Sequence, residues 1–218
     1  MNKPEIVDWG LIEYEKALRK QEDLVNVVAE TREPGYIVFC KHPPVVTLGR
    51  STREGDVTSW RGPTLTVSRG GRATYHGPNQ IIVYPIINLD KPRNGRPPRD
   101  IVSFLRDLEQ SIIDVLAEYG LKGHGKSLLK EKDPLLDAEM TGVWVDGRKV
   151  ASLGIAIRKW VSYHGLAVNL HKDPQAFQGL KPCGFTPETM ISLEELLGHP
   201  IPEEEFKKKL GARLLLKQ

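Results

Sequence analysis

Residues 69–84, RGGRATYHGPNQIIVY, decide how we interpret this chain. The stretch joins two adjacent glycines, a run of polar side chains and an apolar β-strand pattern. Adjacent glycines permit positive φ angles and a close approach of the backbone to a ligand. Residues 81–87 are apolar on both faces, which predicts a strand in the centre of a sheet. The stretch therefore indicates either a binding site beside a core strand or a polar hairpin that leads into one.

Further β-prone runs surround this stretch. Short β-branched and aromatic segments predict strands at residues 36–40, 45–49, 64–67, 143–145, 148–157 and 164–170. Asp146-Gly147 separates two of these runs, and this pair is typical of a two-residue hairpin turn. Lys149 therefore lies just after a tight turn.

Helical patterns make up most of the remaining sequence. Apolar residues recur at helical spacing over residues 10–30 and over the segment that begins at Asp100 and ends at Gly120. Asp100 is the predicted N-cap of the second helix, and Gly120 its end. Two shorter terminal helices are predicted at residues 192–197 and 202–216.

Length and composition limit the possible classes of protein. With 218 residues, 39% of them hydrophobic, the chain can bury one ample core, so we expect a single domain over residues 1–218. The 31 basic and 28 acidic residues are too balanced for a dedicated nucleic-acid binder. No segment has the length and apolarity of a membrane span or a signal core. We therefore expect a soluble, cytoplasmic protein.

The two cysteines, Cys40 and Cys183, form no metal-binding spacing, so we expect no metal site. Cys40 lies inside a β-prone run and fits a core position. Cys183 lies between Pro182 and Gly184, on an irregular backbone where a nucleophile would be useful, although a small buried loop residue fits equally well. A thiol with a pKa near ~8.5 needs a nearby cation to ionise at neutral pH. The candidate activators are Lys149, Lys181, His76 and His164.

Lys149 taken alone is an ordinary surface lysine of a hairpin. It opens a strand, however, whose small residues Ala151, Ser152 and Gly154 leave room for a ligand. The segment His164-Gly165-Leu166-Ala167 repeats this combination of a polar residue with small and apolar ones. The two segments predict an apolar slot, and plain packing of a sheet against a helix explains them as well.

Several segments together resemble a known family, the octanoyltransferases of lipoate biosynthesis, also called lipoate–protein ligases B. The glycine-rich stretch resembles the family signature, and residues 149–154 resemble its lysine strand. Residues 164–167 resemble a third pocket segment, and Pro182-Cys183-Gly184 resembles the nucleophile loop. These segments stand in the family's order along the chain.

This resemblance implies a fold similar to the catalytic domain of biotin and lipoate ligases: an α/β (α+β) single domain with a mixed β-sheet flanked by helices. It implies that Cys183 is the nucleophile that carries an acyl thioester, and that Lys149 is a general acid/base whose ammonium favours the thiolate. The implied substrate-binding residues are Arg69, Gly70, Gly71, Arg72, Ala73, Thr74, Tyr75, His76, Ser152, Leu153, Gly154, Gly165, Leu166 and Ala167.

The resemblance also implies the substrates. The donor is octanoyl-acyl carrier protein, and the acceptor is a lysine on the lipoyl domains of 2-oxoacid dehydrogenase complexes or on the glycine cleavage H protein. No ATP, cofactor or metal is implied. We expect Leu153, Ile155 and Leu166 to form the floor of the acyl slot, and Gly154→Val to shift preference to shorter chains. Complementary charge for acidic partners is expected from Arg50, Arg53, Arg72, Arg93, Arg96 and Arg99.

Other functions stay open at this point. An ATP-dependent lipoate ligase would need a nucleotide-binding pattern, and we find none in the sequence. An octanoyl amidotransferase between lipoyl domains would use similar cysteine chemistry. A non-catalytic binding module would tolerate Cys183→Ser, and a thiol hydrolase would release octanoate without an amine acceptor.

Overall fold

The computed structural model describes residues 3–125 and 141–218. Its centre is β6 (Gln80–Ile87), in which every residue is buried. This strand has a neighbour on each side, as its two apolar faces predict, and it runs antiparallel to both. The core strand predicted next to the glycine-rich stretch is thus confirmed.

The large sheet has the strand order β1-β2-β6-β10-β9-β8-β7. Its other members are β1 (Glu5–Leu11), β2 (Gly35–Lys41), β7 (His124–Gly125), β8 (Gly142–Val145), β9 (Arg148–Arg158) and β10 (Val161–Asn169). β1 and β2 are parallel, and the remaining pairs are antiparallel, so the sheet is mixed. A small second sheet has the order β4-β3-β5, with β3 (Val45–Leu48), β4 (Thr64–Thr66) and β5 (Thr74–His76).

Helices cover both faces of the large sheet, as predicted. α1 (Tyr14–Thr31) packs on one face, where its buried residues join Val38, Ile82 and Ala167. α2 (Ile101–Glu118) and α4 (Glu203–Leu216) pack on the other face, and the short helix α3 (Leu193–Leu197) joins the same core. Among the described residues, no helix combines the length and the apolarity that crossing a bilayer requires.

Local signals in the sequence explain several element boundaries. The Asp100 side chain accepts a hydrogen bond from the Ser103 N–H at 2.9 Å and caps α2, as predicted. Asp146 and Gly147 both have positive φ, which is the geometry of a hairpin turn matched to the twist of β8 and β9. The predicted first helix begins later than expected, at Tyr14, because the residues before it form β1 at the edge of the sheet.

Candidate active site

Cys183 lies in a single 3-10 turn, Pro182–Gly184, with φ of 53°. A non-glycine residue in the left-handed region is uncommon and needs support from its surroundings. The support comes from the glycine-rich stretch, because the Cys183 N–H donates to the Ala73 carbonyl at 2.9 Å. The irregular backbone predicted for this cysteine is present. Cys40, in contrast, lies 1% exposed inside β2, as its sequence context predicts.

The fold brings Lys149 and Cys183 together although they are far apart in the chain. Lys149 is 1% exposed at the start of β9, and its amine lies 5.5 Å from the Trp144 ring centroid and 5.8 Å from that of Phe185. Burial lowers the pKa of Lys149, while the charge of the Cys183 thiolate and a hydrogen bond to it oppose that shift. The Cys183 Sγ also lies 3.9 Å from the Ser152 Oγ. Lys149 is therefore the cation beside the thiol.

The other candidate activators, His76, His164 and Lys181, do not supply a cation to the thiol. The two histidines are neutral near pH 7, and the lysine lies outside the site. Burial lowers the pKa of His164 to about 3, and it lowers the pKa of His76 well below the usual range. Both imidazoles are therefore neutral at pH 7. Lys181 is exposed next to the turn, so its charge faces solvent.

A cavity opens beside Cys183 on the α1 side of the sheet. It encloses about 480 Å³ of space free of atoms, its open mouth included. Strands β9 and β10 contribute small residues that face each other in register, Gly154 with Gly165 and Ser152 with Ala167. These residues leave a hollow over the sheet, as the sequence predicts. The full lining is Tyr14, Arg69, Gly71, Thr74, His76, Ile82, Tyr84, Thr141, Ser152, Leu153, Gly154, His164, Gly165, Leu166, Ala167 and Cys183.

Two of the three larger residues predicted for the floor of the slot line the cavity. These are Leu153 and Leu166, whereas Ile155 does not line it. All three also belong to the core cluster shared with α2. Ile82 and Ala167, which pair with each other across β6 and β10, line the cavity as well. Alternation of side chains along β10 places Ala167 on the opposite face of the sheet from Leu166.

The far end of the cavity is polar, and sequence reasoning missed two of its residues, Tyr14 and His42. Tyr14 stacks on His76 with centroids 5.6 Å apart, and its hydroxyl lies 3.3 Å from the His164 Nδ1. Behind them, the His42 Nε2 accepts a 2.6 Å hydrogen bond from the Tyr84 hydroxyl, because its Nδ1–H donates to the Ile12 carbonyl. Burial lowers the pKa of His42 to about 4. This group, here called the histidine–tyrosine cluster, consists of Tyr14, His42, His76, Tyr84 and His164.

The left-handed backbone of His164 places its ring in this cluster. A φ of 55° interrupts the alternation of β10, so Tyr163 and His164 both reach Ser68, at 2.8 and 3.2 Å. The imidazole then faces α1, whose Gln21 side chain accepts from the His164 N–H at 2.8 Å. A regular strand would have pointed it to the other face.

Only part of the glycine-rich stretch reaches the cavity. Of the residues predicted to bind substrate, Arg69, Gly71, Thr74 and His76 line the cavity, whereas Gly70, Arg72, Ala73 and Tyr75 do not. Strand alternation accounts for β5, because the Tyr75 ring points away and packs on Phe177 and Trp60. Ala73 contributes through its carbonyl, which holds Cys183.

Arg72 is not a free docking charge. Its guanidinium pairs with Asp56, whose carboxylate is fully buried, and the Arg72 side chain is 11% exposed. Hydrogen bonds and charge from Arg72 lower the pKa of Asp56 against the opposing effect of burial. Arg72 therefore anchors the turn that carries Gly71.

Among the other predicted docking residues, Arg93 is 6% exposed, Arg96 pairs with Asp107, and Arg99 pairs with Asp90. Arg50 and Arg53 are exposed.

Arg69 supports the same turn from below. It is 6% exposed, and its guanidinium donates to the Thr47 carbonyl at 2.8 Å and to the Gly70 carbonyl at 3.0 Å. The turn lies so close to β9 that a Cβ on Gly154 would stand 2.7 Å from the Gly70 carbonyl oxygen. Gly154→Val would therefore displace the turn, and it is not a clean test of slot length.

The backbone N–H groups of this site differ in availability. Gly70 donates to Ile155, Cys183 to Ala73 and Gly184 to Lys181, all at 2.9 to 3.0 Å. These three N–H groups near the thiol are therefore already engaged. Residues 3–125 and 141–218 provide no acceptor for the Gly71 N–H. No group of three or more metal-binding side chains that could hold an ion occurs among the same residues.

Comparison with known proteins agrees with this geometry. The family described as lipoyl protein ligase A/B catalytic domain matches residues 13–215. An octanoyltransferase of Bdellovibrio bacteriovorus is 55% identical over 209 residues, which cover 95% of each chain. One from Geobacter metallireducens is 36% identical and covers 95% of this chain and 90% of its own.

The chain belongs to the octanoyltransferases of the lipoyl protein ligase A/B catalytic-domain family. It is an acyltransferase of protein lipoylation, as the resemblance in the sequence implied.

Solved structures place this octanoyltransferase in the expected fold. A bi-partite lipoate protein ligase from Thermoplasma acidophilum superposes with a TM-score of 0.66 at 16% identity, over 98% of this chain and 82% of that one. A biotin protein ligase from Aquifex aeolicus superposes with a TM-score of 0.52 at 12% identity, over 98% and 68%. At these identities the likeness concerns the fold alone, and it confirms the predicted biotin/lipoate ligase-like architecture.

Proposed function

We propose that this octanoyltransferase takes its acyl group from octanoyl-acyl carrier protein and passes it, through a thioester on Cys183, to a lysine of a lipoyl domain. One observation carries the proposal: an almost fully buried lysine amine lies beside a cysteine that lines the wall of a cavity. The burial of an amine costs free energy, and buried amines with a shifted pKa occur at sites where their proton is used in a reaction. The proposed acceptors are the lipoyl domains of 2-oxoacid dehydrogenase complexes and the glycine cleavage H protein.

In the first step the Cys183 thiolate attacks the carbonyl carbon of the donor thioester. A bond from that carbon to Sγ forms, and the bond to the sulfur of the carrier's pantetheine arm breaks. The Lys149 ammonium stabilises the thiolate before attack and gives its proton to the departing sulfur. A thioester is already activated, so the step needs no ATP. The Gly71 N–H is the backbone donor we assign to the developing oxyanion.

In the second step the ε-amine of the acceptor lysine attacks the Cys183 thioester. An amide bond forms, the carbon–sulfur bond breaks, and neutral Lys149 accepts the proton that the amine loses. Lys149 must therefore exist in both protonation states near neutral pH. Burial lowers the pKa of its ammonium in the direction that this exchange requires.

The cavity supplies the binding energy for the acyl chain. Each buried CH₂ contributes about 0.8 kcal/mol, so an octanoyl chain gains several kcal/mol against Ile82 and Ala167. The octanoyl chain ends near the histidine–tyrosine cluster. A longer acyl chain would place methylenes against these polar groups, which would then lose hydrogen bonds. The slot length then favours medium chains.

The test is to incubate the protein with octanoyl-acyl carrier protein, without ATP, and to measure intact mass followed by peptide mapping. We expect one octanoyl adduct on Cys183, and none in Cys183→Ala. Cys40→Ala is the matched control, because Cys40 is buried in β2 and should not affect the adduct. Addition of a lipoyl domain should discharge the adduct to its lysine.

Other outcomes would replace the proposal. Activity that appears only with ATP and free octanoate would indicate a ligase. Adduct formation from an octanoylated lipoyl domain but not from the carrier protein would indicate an amidotransferase. Release of octanoate without amide formation would indicate a hydrolase. Full function of Cys183→Ser would indicate a binding module.

A further inference from the structure

A buried carboxylate lies behind Lys149, in a position that the sequence does not reveal. Glu109 is 3% exposed on the sheet-facing side of α2. Its Oε1 accepts a hydrogen bond from the Gly142 N–H at 2.9 Å. Carboxylates are rarely buried unless they interact with a partner of opposite charge or with strong donors. Glu109 reaches across from the helix to β8, one strand away from Lys149.

Two glycines leave space for the two charged side chains. A Cβ on Gly125 would stand 2.5 Å from the Glu109 Oε2, which no ordinary contact allows. A Cβ on Gly142 would stand 2.6 Å from the Lys149 Cε. Gly142 therefore lies against the Lys149 side chain and holds Glu109 with its N–H.

We propose that Glu109 is a positioning residue of the active site, a carboxylate that holds the Lys149 amine from behind through Gly142 and favours its ammonium form over the neutral amine. Cys183 and Glu109 then both favour the ammonium form of Lys149. This inference rests on the proposed function, since it concerns the proton carried by Lys149.

The electrostatics of the site agree with the geometry. Among the described residues, the charges that act on Lys149 include Cys183 from the 3-10 turn, Glu109 from α2 and Arg69 from the glycine-rich stretch. Burial is the largest influence and lowers the pKa of Lys149; Cys183 and Glu109 oppose it, and Arg69 adds to it. Once Cys183 is acylated its charge is gone. In the acyl-enzyme, Glu109 is the one group of these three that still favours the ammonium.

The charge of Glu109 determines the direction in which its removal should shift the pH dependence of the second step. In the second step Lys149 must be neutral to accept a proton, so the rate falls at low pH as the ammonium forms. Removal of the Glu109 charge lowers the pKa of Lys149 in the acyl-enzyme. The acid limb of the discharge rate should then move to lower pH by about one unit.

The test uses the octanoyl-enzyme, formed with octanoyl-acyl carrier protein and mixed with excess lipoyl domain in single-turnover experiments from pH 5 to 9. Glu109→Gln keeps an oxygen to accept from Gly142 but removes the charge. Asp107→Asn is the matched control: it neutralises another buried carboxylate of α2, one that pairs with Arg96 and does not face Lys149. We expect the acid limb to move in Glu109→Gln and to stay in place in Asp107→Asn.

The outcomes separate this inference from the function on which it rests. A wild-type protein that forms no Cys183 adduct would overturn the proposed function. A wild-type protein that forms the adduct, with an unmoved acid limb in Glu109→Gln, would overturn the role of Glu109 alone. A rate that drops equally at every pH would also overturn it, since that pattern indicates only structural support. If Glu109→Gln does not fold, Glu109→Asp provides the second variant, in which retention of the charge should preserve the wild-type acid limb.

Discussion

The two ends of the cavity both bury polar groups, and they do so in opposite ways. At the mouth, Lys149 lies beside Cys183, and the charge of Cys183 opposes the effect of burial on the pKa of Lys149. At the far end, the histidine–tyrosine cluster is neutral: burial lowers the pKa of His164 to about 3 and raises the pKa of Tyr14 to about 12. The mouth holds groups ready to transfer a proton, whereas the far end holds groups that keep theirs. The same desolvation gives reactivity where a charged partner is present and inertness where it is absent.

The largest effect should follow from removal of the reactive amine. Lys149→Met keeps a long side chain in the buried space but provides no proton, so we expect octanoyl transfer to fall by about 10²–10⁴-fold. The same change leaves the buried Glu109 carboxylate without the charge of Lys149, so the free energy of unfolding should fall by about 3 kcal/mol. Initial rates and urea unfolding of the same preparation measure both quantities. Wild-type activity in a folded Lys149→Met protein would contradict the role of Lys149 in proton transfer.

The far end should instead control stability as a function of pH. A histidine with a lowered folded-state pKa destabilises the protein as pH falls below the unfolded value, because the unfolded chain binds the extra proton. For His42, with a folded-state pKa of about 4, this window runs from about pH 6.5 down to pH 4. A single histidine of this kind costs about 2 kcal/mol at pH 5.

His42→Asn keeps a donor toward the Ile12 carbonyl and removes the titrating ring. We expect the variant to be less stable than wild type at pH 7.5, and to lose less stability than wild type between pH 7.5 and pH 5. Thermal unfolding over this range measures the difference. Parallel pH profiles for the two proteins would exclude His42 as the titrating group.

The sequence could predict the elements and most of the site, but not the faces on which side chains lie. The apolar run of β6, the Asp100 cap and the Asp-Gly turn are local signals, and each was confirmed. Ile155 was assigned to the floor of the slot although it does not line the cavity, because a pattern of small and apolar residues does not say which side chains face a cavity and which face a helix. The face depends on the register of β9 against β10, which is a tertiary property.

Contacts between residues far apart in the chain also could not be predicted from the sequence. The ion pair of Arg72 with Asp56 joins two loops, so an arginine beside a glycine turn resembled a free charge. Tyr14 and His42 come from elements outside the glycine-rich stretch, and the helical spacing of Tyr14 resembled an ordinary core position. Edge strand β1 was missed because most of its residues are exposed and it has no continuous apolar run.

The smallest effect should be a change of chain-length preference between the two ends. Ala167 lines the cavity floor opposite Ser152, and it lies on a strand that accepts β-branched residues. Ala167→Val adds two methyl groups where the acyl chain would lie, so octanoyl transfer should fall relative to hexanoyl transfer by about tenfold, at about 0.8 kcal/mol per displaced CH₂. The control is Ala156→Val on the same face of the sheet, at a position that is buried but does not line the cavity. Competition between hexanoyl- and octanoyl-acyl carrier protein measures the ratio directly, and an equal shift in both variants would place the slot elsewhere. A shift in Ala167→Val alone would mean that the distance from Cys183 to the histidine–tyrosine cluster sets the preferred length of the acyl chain. Both ends of the cavity would then contribute to substrate specificity.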